Sequence, residues 1–446
     1  MSQRNDLKDS FKDYFKELIG DEFDAFLDFV SNGRTRRTVR VNTLKISKEK
    51  LRKWFEGNGY EAADNPFSSD AIDVIGEGKP LSLKLPYLSG FTYPQDSSSM
   101  FAVELLNPQP GETIIDLTAA PGGKTTHIAQ RMKNTGVLIA NDMDTSRLKA
   151  LHSNLERLGV WNAATIRMMP HKIAEMYPGV FDKVLLDPSC SGEGLLAKGG
   201  KPSFWSPKSV KRYASEQFGI LKSAFLLLKP GGTLVYSTCT LNKFEDDGVV
   251  ERLLAEFPEA EIADSTHVAN FAPPQFPGFL GFRFWPHKTR TKGFFCISIR
   301  KGIKSPPGGE SETKFSFLQI LNDEEIKKFH YDLPDCKFVV RENNLFCVSK
   351  ELAEFPLPKS YSLAFPILRI FNTEVRPTHP GAIWLGLKVK TAVYELTREE
   401  VEKLIERQAI ESDKAEGDYF IKFGIFPLGY GKVIRGKLEM NFPRQY

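Results

Sequence analysis

Two cysteines and an aspartate follow the ends of two predicted strands, and side chains of these types could do covalent chemistry. The strand at residues 181–187 runs into Pro-Ser-Cys190, and the strand at residues 233–237 runs into Thr-Cys239. In a doubly wound sheet these are the neighbouring fourth and fifth strands, and ligands bind at their carboxyl ends. A single cysteine after a buried strand is usually a small hydrophobic residue. Two of them at adjacent strand ends, each flanked by hydroxyl residues, indicate a reactive cleft shared with Asp187.

The element that would position this cleft is a strand, a glycine turn and a helix. The pattern of residues 113–117 predicts a buried parallel strand, and the segment from residue 124 onward predicts a helix. Residues 136–142 predict a second strand. Small residues in the turn let backbone N–H groups approach a ligand at the helix N-terminus. This is the first half of a doubly wound nucleotide-binding fold. The candidate cofactor contacts in the turn are Thr118, Ala119, Ala120, Pro121, Gly122, Gly123 and Lys124.

The residues of the turn narrow the kind of ligand it could hold. A phosphate-binding loop needs glycine five residues before Gly123, where this chain has Thr118, and the dinucleotide pattern G-x-G-x-x-G is also missing. An adenosyl cofactor without phosphates therefore fits better than ATP or NAD. Asp142, which ends the second predicted strand, could accept hydrogen bonds from ribose hydroxyls. The alternative is that this acid merely ends a strand.

Composition argues against a membrane-spanning protein, a secreted protein and a metal-binding protein. A chain of 446 residues with 41% hydrophobic residues should form two or three packed domains. A mean hydropathy of -0.30 without a long apolar run argues against a membrane span, and the N-terminus lacks the form of a signal peptide. No two cysteines form a C-x-x-C pair, so we expect a reducing cytoplasm and neither zinc nor another metal. The five cysteines are Cys190, Cys239, Cys296, Cys336 and Cys347.

Basic residues are concentrated in two stretches, although the net charge is only +4. Residues 34–53 hold nine lysines and arginines against one acid, and residues 265–309 hold no acid at all. Such stretches suit a nucleic-acid phosphate backbone, and solvated faces of an ordinary basic protein are the alternative. The candidate nucleic-acid contacts are Arg36, Arg37, Arg40, Lys45 and Lys198.

The order of elements predicts several domains along the chain. Apolar residues at three- and four-residue steps predict N-terminal helices at 1–33, broken near Gly20. A small α+β module follows at 34–99, with an alternating strand at 39–47. The α/β domain occupies 100–303, and a tight turn at 230–232 precedes its fifth strand. Residues 304–314 are rich in Pro, Gly and Ser and predict a linker, after which a separate domain spans 315–446.

Several motifs together resemble the Sun/Nop family of RNA cytosine carbon-5 methyltransferases. The motifs are DLTAAPGGKT, NDMD, LLDPSCSGEG and YSTCTLNKFEDD, with RVNTLK, PQD and PHK beside them, and they cover residues 34–300. The C-terminal stretch FGIFPLGYGKVIRGKLEMNFP resembles the PUA-like RNA-binding end of the bacterial ribosomal-RNA members. The resemblance implies a Rossmann-like methyltransferase sheet with a small N-terminal α+β module and a C-terminal α+β, PUA-like domain.

The same resemblance implies S-adenosyl-L-methionine as cofactor, held by residues 118–124 with Asp142 on the ribose. Cys239 matches the family nucleophile, Cys190 the second cysteine associated with product release, and Asp187 the acid that contacts the target base. One position departs from the family pattern. Met169 stands where the family usually has an acid that recognises the adenine. By analogy we expect ribosomal rather than transfer RNA as partner, and a cytoplasmic monomer without a membrane contact.

Carbon 5 of cytosine is a poor nucleophile, which explains why a thiolate is needed. Addition of the Cys239 sulfur at carbon 6 makes carbon 5 electron-rich, which is covalent catalysis. Two alternatives stay open at this point. A DNA cytosine methyltransferase would use a cysteine directly after proline, whereas Ser189 separates Pro188 from Cys190. A non-catalytic RNA-binding scaffold would be expected to have lost Cys239 or the glycine turn.

Overall fold

The computed structural model describes residues 7–79, 81–198, 205–303, 316–327, 329, 331–371 and 374–440. The predicted linker at 304–314 lies outside these residues. Within the described part of the chain, no helix is both long and apolar enough to span a membrane.

The chain begins with two helices that pack side by side on the central domain. Helix α1 spans Asp9–Ile19 and α2 spans Phe23–Asn32, with a 3-10 turn at Gly20–Glu22 between them, so the break falls where the sequence predicted it. Their apolar faces form one buried cluster with residues of the central domain, among them Trp205 and Trp285. The helices therefore contribute packing.

A small antiparallel sheet follows, with strand order β2-β3-β1-β4. Its elements are β1 (Thr38–Val41), α3 (Lys48–Glu56), β2 (Glu61–Asp64), β3 (Ala71–Ile75), α4 (Leu81–Leu88) and β4 (Thr92–Pro94). The strand predicted at 39–47 is wrong in length, because β1 ends at Val41 and the chain turns. The carbonyl of Asn42 accepts hydrogen bonds from the backbone of Lys45 and Ile46, which closes that turn.

The central domain is a mixed sheet whose middle strands are parallel, in the order β10-β12-β9-β8-β5-β6-β7. Its strands are β5 (Thr113–Asp116), β6 (Val137–Asn141), β7 (Ala163–Ile166), β8 (Phe181–Leu186), β9 (Leu228–Thr238), β10 (Ala260–Ile262), β11 (Phe282–Phe284) and β12 (Phe294–Lys301). Its helices are α5 (Ser97–Leu106), α6 (Gly123–Arg131), α7 (Thr145–Leu158), α8 (Pro170–Met176), α9 (Pro207–Leu226), α10 (Asp247–Glu256) and α11 (Pro286–Thr289). Buried aliphatic side chains cover both faces of the sheet.

The fifth parallel strand is longer than its sequence pattern predicted. Residues 230–232 do not form a turn before it; they lie inside β9 as an irregularity against β8, where Leu228 pairs with Phe181 and Thr233 with Lys183. Gly231 adopts φ +81°, which a residue with a side chain rarely tolerates. The glycines therefore mark a bulge in the strand.

The C-terminal part of the chain is rich in strands and docks on the edge of the central sheet. Its strands are β13 (Lys337–Arg341), β14 (Asn344–Val348), β15 (Ser362–Leu363), β16 (Phe365–Ile370), β17 (Val375–Pro377), β18 (Val393–Glu395), β19 (Ile410–Glu411), β20 (Gly417–Phe423), β21 (Phe426–Ile434) and β22 (Lys437–Met440). Its helices are α12 (Asp323–Lys327), α13 (Lys350–Glu354), α14 (His379–Leu385) and α15 (Arg398–Glu406). Strand β15 pairs with β7 as the ninth strand of the central sheet. The predicted α/β class with a parallel sheet is confirmed.

Candidate active site

The glycine turn connects β5 to α6 and is fixed by the neighbouring strand. The backbone N–H of Ala119 donates to the carbonyl of Asn141 at the end of β6 (2.8 Å). Gly122 caps α6 with φ +104°, and a Cβ there would lie 2.9 Å from a methyl of Leu151. Glycine is needed at this position both for its backbone angle and for the close approach of α7.

Asp116, the last residue of β5, is buried beneath the turn. Its carboxylate accepts hydrogen bonds from the Thr125 hydroxyl (2.7 Å) and from the backbone N–H of Thr118 (3.3 Å). Burial raises the pKa of this carboxyl to about 6, against the lowering effect of the Thr125 hydrogen bond. Asp116 thus holds the two sides of the turn together.

The two strand ends that carry the predicted chemistry lie side by side, as expected. Strands β8 and β9 pair in parallel, and Asp187 follows β8 directly. The Asp187 carboxylate accepts hydrogen bonds from Lys124 Nζ (2.5 Å) and from the Ser237 hydroxyl (3.0 Å). Its backbone N–H donates to Thr118 Oγ1 (2.9 Å), which joins the strand end to the glycine turn.

The charge of Lys124 is preserved beside this carboxylate. Burial lowers the pKa of the ammonium, but the Asp187 charge and hydrogen bond outweigh that effect, so the pKa is raised from its ordinary value. The side chain is 13% exposed. The cleft therefore contains a partly buried cation paired with a carboxylate.

The two cysteines of the strand ends are in direct contact. Cys190 Sγ and Cys239 Sγ lie 2.9 Å apart, and both residues are partly buried free thiols. The hydrogen bond with Cys239, together with burial and nearby carboxylates, raises the pKa of Cys190 well above its usual range. At neutral pH Cys190 is therefore a protonated thiol that can donate to the Cys239 sulfur.

A cavity of ≈ 280 Å³ opens between the glycine turn and the strand ends. Asp142 does not line it: its carboxylate accepts from the backbone N–H groups of Ala120 (3.2 Å) and Asp144 (3.0 Å) and is 4% exposed. Cys190 and Gly122 also lie behind the lining. The predicted site residues that face the cavity are Thr118, Ala119, Ala120, Pro121, Gly123, Lys124, Asp187 and Cys239.

Behind Cys239 lies a buried polar network that the sequence reasoning did not include. Leu241 N and Asn242 Nδ2, in the turn that follows the cysteine, donate to the carboxylates of Glu193 and Glu245. The carboxylate of Asp246 accepts from the Thr238 hydroxyl, directly before the cysteine. Arg283 donates to Asp246 (3.2 Å) and to Asp247. Burial raises the pKa of Glu245 and of Asp246. The available signal was the run of acids at 245–247, which five residues separate from Cys239, since acids near a buried strand need internal partners.

Two of the predicted RNA contacts are instead internal. The Arg40 side chain is buried and donates to the carbonyl of Gly123 (2.7 Å) and to the Thr126 hydroxyl (2.6 Å). Lys45 donates to the carbonyls of Arg157 (2.6 Å) and Ser89 (3.4 Å), and burial lowers its pKa well below the ordinary value. Both cations are used by the protein itself, so an RNA contact does not fit their placement.

The remaining predicted contacts divide between paired and exposed side chains. Arg36 forms an ion pair with Asp73 (3.0 Å), whereas Arg37 is exposed. The side chain of Lys198 lies outside the described part of the structure.

The second basic stretch does not form one surface. Arg283 and Lys301 are buried, and Lys288 is paired with Glu22 (2.6 Å). This stretch therefore supports RNA binding less than its sequence suggested.

The parallel sheet, the glycine turn and the cysteine-bearing strand ends define a Rossmann-like methyltransferase. Solved structures agree: a methyltransferase homologue from Pyrococcus horikoshii superposes with a TM-score of 0.59 at 32% identity, covering 66% of this chain and 95% of that one. NSun6 from Pyrococcus horikoshii, solved with SFG, gives a TM-score of 0.58 at 26% identity, covering 67% and 99%.

Sequence comparisons give a narrower result. The family model for the 16S rRNA methyltransferase RsmB/F matches residues 103–300. Ribosomal RNA small subunit methyltransferase F of Klebsiella pneumoniae (strain 342) is 32% identical, covering 94% of this chain and 92% of the relative. The protein of that name from Vibrio campbellii is 33% identical, covering 94% and 93%. The chain belongs to this RsmB/F branch of the Sun/Nop family, and the predicted enzyme class, an S-adenosyl-L-methionine-dependent methyltransferase, is confirmed.

Proposed function

We propose that this protein methylates carbon 5 of a cytosine in small-subunit ribosomal RNA through a temporary bond between Cys239 and the base. The observation that carries the proposal is the position of the Cys239 sulfur, which faces the same cavity as the glycine turn and the Asp187–Lys124 pair. The relatives above are named ribosomal RNA small subunit methyltransferase F, and their similarity to this protein extends over nearly the whole chain.

The residues around the turn fit an adenosyl cofactor. A Cβ at Gly123 would lie 3.3 Å from a ring carbon of Tyr93 and 3.5 Å from the Gln95 side chain, so a side chain at this position would take up space between the turn and these two residues. The turn at residues 118–123 would hold S-adenosyl-L-methionine through its backbone, with Lys124 beside it and Asp142 bracing the turn from behind. When bound, this cofactor supplies a methyl group activated by a sulfonium.

The protein's own part in the reaction begins with the thiolate of Cys239. Its sulfur forms a bond to carbon 6 of the cytosine, and the pair of electrons from the ring's 5,6 double bond moves toward carbon 5 and N3. Asp187 offsets the charge that develops at N3 by a hydrogen bond or a proton. The Lys124 ammonium, held by Asp187, faces the same cavity as Cys239 and supplies a positive charge there.

Release of the product breaks the bond between the Cys239 sulfur and carbon 6. After methyl transfer, carbon 5 gives its proton to water and the electron pair of that C–H bond forms the 5,6 double bond again. The electron pair of the sulfur–carbon 6 bond returns to Cys239. Cys190, whose Sγ lies 2.9 Å from that sulfur, is the thiol positioned to donate a hydrogen bond to the departing thiolate. We assign Cys190 to this release step.

The regions outside the cavity would deliver the RNA. The target cytosine must leave any base stack to reach Cys239, so a flipped or loop cytosine is expected. We propose that the small sheet at 34–99 and the C-terminal region at 315–446, with its PUA-like resemblance, bind ribosomal RNA in preference to transfer RNA. We further propose that the protein acts as a monomer in the cytoplasm, where its five free thiols suit a reducing compartment.

The proposal is tested by transfer of labelled methyl from S-adenosyl-L-methionine to transcribed small-subunit ribosomal RNA. We expect 5-methylcytosine with the wild-type protein and a loss of at least about 10³-fold in Cys239→Ala, since nucleophile removal is among the costliest changes. Cys336→Ala, a change in the C-terminal region, is the matched control and should keep full activity. Bisulfite sequencing of RNA from cells lacking the protein would identify the position, and no difference at any cytosine would contradict the proposal.

A further inference from the structure

Glu193 is almost completely buried behind the two thiols, with 1% of its surface exposed. Its carboxylate accepts six hydrogen bonds, all from uncharged donors, within the part of the chain that the structure describes. The donors to Oε1 are Ser191 Oγ (3.0 Å), Trp205 Nε1 (2.6 Å) and Asn242 Nδ2 (2.8 Å), and those to Oε2 are the Thr240 hydroxyl, Leu241 N (2.7 Å) and Asn242 N (3.2 Å).

Five of these six hydrogen bonds come from the two cysteine-bearing loops. Ser191 follows Cys190 directly, and the segment 240–242 follows Cys239 directly. The backbone N–H of Gly194 also donates to the carbonyl of Cys239 (2.9 Å), beside the carboxylate. One side chain therefore ties together the two loops whose sulfur atoms must stay in contact.

We infer that Glu193 is a positioning residue that fixes Cys239 in the cavity and sets its distance from Cys190. This inference rests on the proposed function, since it concerns the rate at which Cys239 attacks the base. Displacing a reacting group by about 1 Å can cost on the order of 10²-fold in rate. Glu193 does not face the cofactor cavity, so affinity for the cofactor should not depend on it.

The geometry explains why a carboxylate is needed here. Each oxygen faces an N–H that cannot rotate away: the indole of Trp205 faces Oε1, and the backbone N–H of Leu241 faces Oε2. A glutamine of the same shape must place its NH₂ group against one of these two donors. Glu193→Gln therefore changes hydrogen bonding at the turn while keeping the volume of the side chain.

The experiment measures how fast the protein forms a covalent adduct with small-subunit ribosomal RNA transcribed with 5-fluorocytidine, in the presence of S-adenosyl-L-methionine. We expect Glu193→Gln to slow adduct formation by about 30-fold or more, with the dissociation constant for S-adenosyl-L-methionine within twofold of wild type. Glu251→Gln, an exposed neighbour on α10, is the matched control and should leave both values unchanged. A folded Glu193→Gln protein with the wild-type adduct rate would overturn the inference.

A second pair of variants keeps the test decisive if Glu193→Gln does not fold. Thr240→Val removes one donor to the carboxylate and should slow the adduct by about 3- to 10-fold, whereas Thr240→Ser keeps the hydroxyl and should restore the rate. Equal rates for the two variants would contradict the positioning role. A wild-type protein that neither methylates the RNA nor forms an adduct would refute the proposed function instead, and that outcome is visible before any variant is compared.

Discussion

Arg40 Nη1 lies 2.7 Å from the carbonyl oxygen of Gly123, so the small N-terminal sheet holds the cofactor turn directly. The same guanidinium donates to Thr126 in the first turns of α6 and lies over the ring of Tyr93, 5.4 Å from its centroid. Burial lowers the pKa of this arginine to about 9, which leaves it charged at neutral pH. The module that was expected to bind RNA thereby also supports the cofactor site.

Arg40→Met should weaken cofactor binding. The change keeps an unbranched side chain but removes the guanidinium hydrogen bonds to the Gly123 carbonyl and the Thr126 hydroxyl. A hydrogen bond from a charged group contributes about 1.5–3 kcal/mol. We expect the dissociation constant for S-adenosyl-L-methionine, measured by calorimetry, to rise about tenfold or more and the melting temperature to fall. Arg37→Met, at an exposed site three residues earlier, is the control; equal cofactor affinity in both variants would show that Arg40 does not support the turn.

Arg34 and Arg37 are the exposed arginines of the first basic stretch, and they should contribute to RNA binding through charge. The double variant Arg34→Gln, Arg37→Gln removes up to two phosphate contacts. The slope of log affinity against log salt should therefore decrease in magnitude by about 1–2, with weaker binding at low salt. Filter binding of small-subunit ribosomal RNA at several salt concentrations measures this, and an unchanged slope would make these residues a solvated face.

Asp116 should make the protein less stable as pH rises from about 4 to about 6. Its pKa is raised to about 6 in the folded state, so between the unfolded value and 6 the folded protein binds the additional proton. Stability therefore falls with rising pH across this range, by about 3 kcal/mol at roughly 1.4 kcal/mol per unit. In Asp116→Asn this fall should disappear from melting curves recorded at different pH values.

Asp144 provides the control for that measurement. Hydrogen bonds from Ser146 and the start of α7 lower the pKa of this exposed carboxyl, so its protonation affects stability only as pH falls below its unfolded value. The difference between wild type and Asp144→Asn should stay flat from pH 4.5 to 6.5. A parallel pH dependence of wild type and Asp116→Asn would refute the assignment to Asp116.

The residues that line the cavity could be predicted from the sequence because they follow closely on strands. Because Asp187 and Cys239 follow buried strands of a parallel sheet, both must lie at the same edge of that sheet. The glycine turn marks where helix α6 begins after β5. Both features are local in the chain. The family motifs then added the chemistry, and comparison with whole-length relatives confirmed the family.

The sequence could not reveal which cations are internal, because their partners are distant in the chain. Arg40 and Gly123 are separated by 83 positions, and Lys45 and Arg157 by 112. A count of basic residues treats such buried arginines and lysines as surface charge. Glu193 was missed for the same reason, since the segment that donates to it lies 47 to 49 positions later.

The central claim is that the Cys239 sulfur bonds covalently to the target base, and Cys190→Ala gives the most direct measurement of it. Without the thiol 2.9 Å away, addition should proceed but release should fail, so this variant should accumulate a protein–RNA adduct on a denaturing gel. Mass spectrometry of the digested adduct should find a methylated cytosine residue attached to Cys239, and the double variant Cys190→Ala, Cys239→Ala should give no adduct. Attachment at another residue, or an adduct that survives in the double variant, would contradict the account.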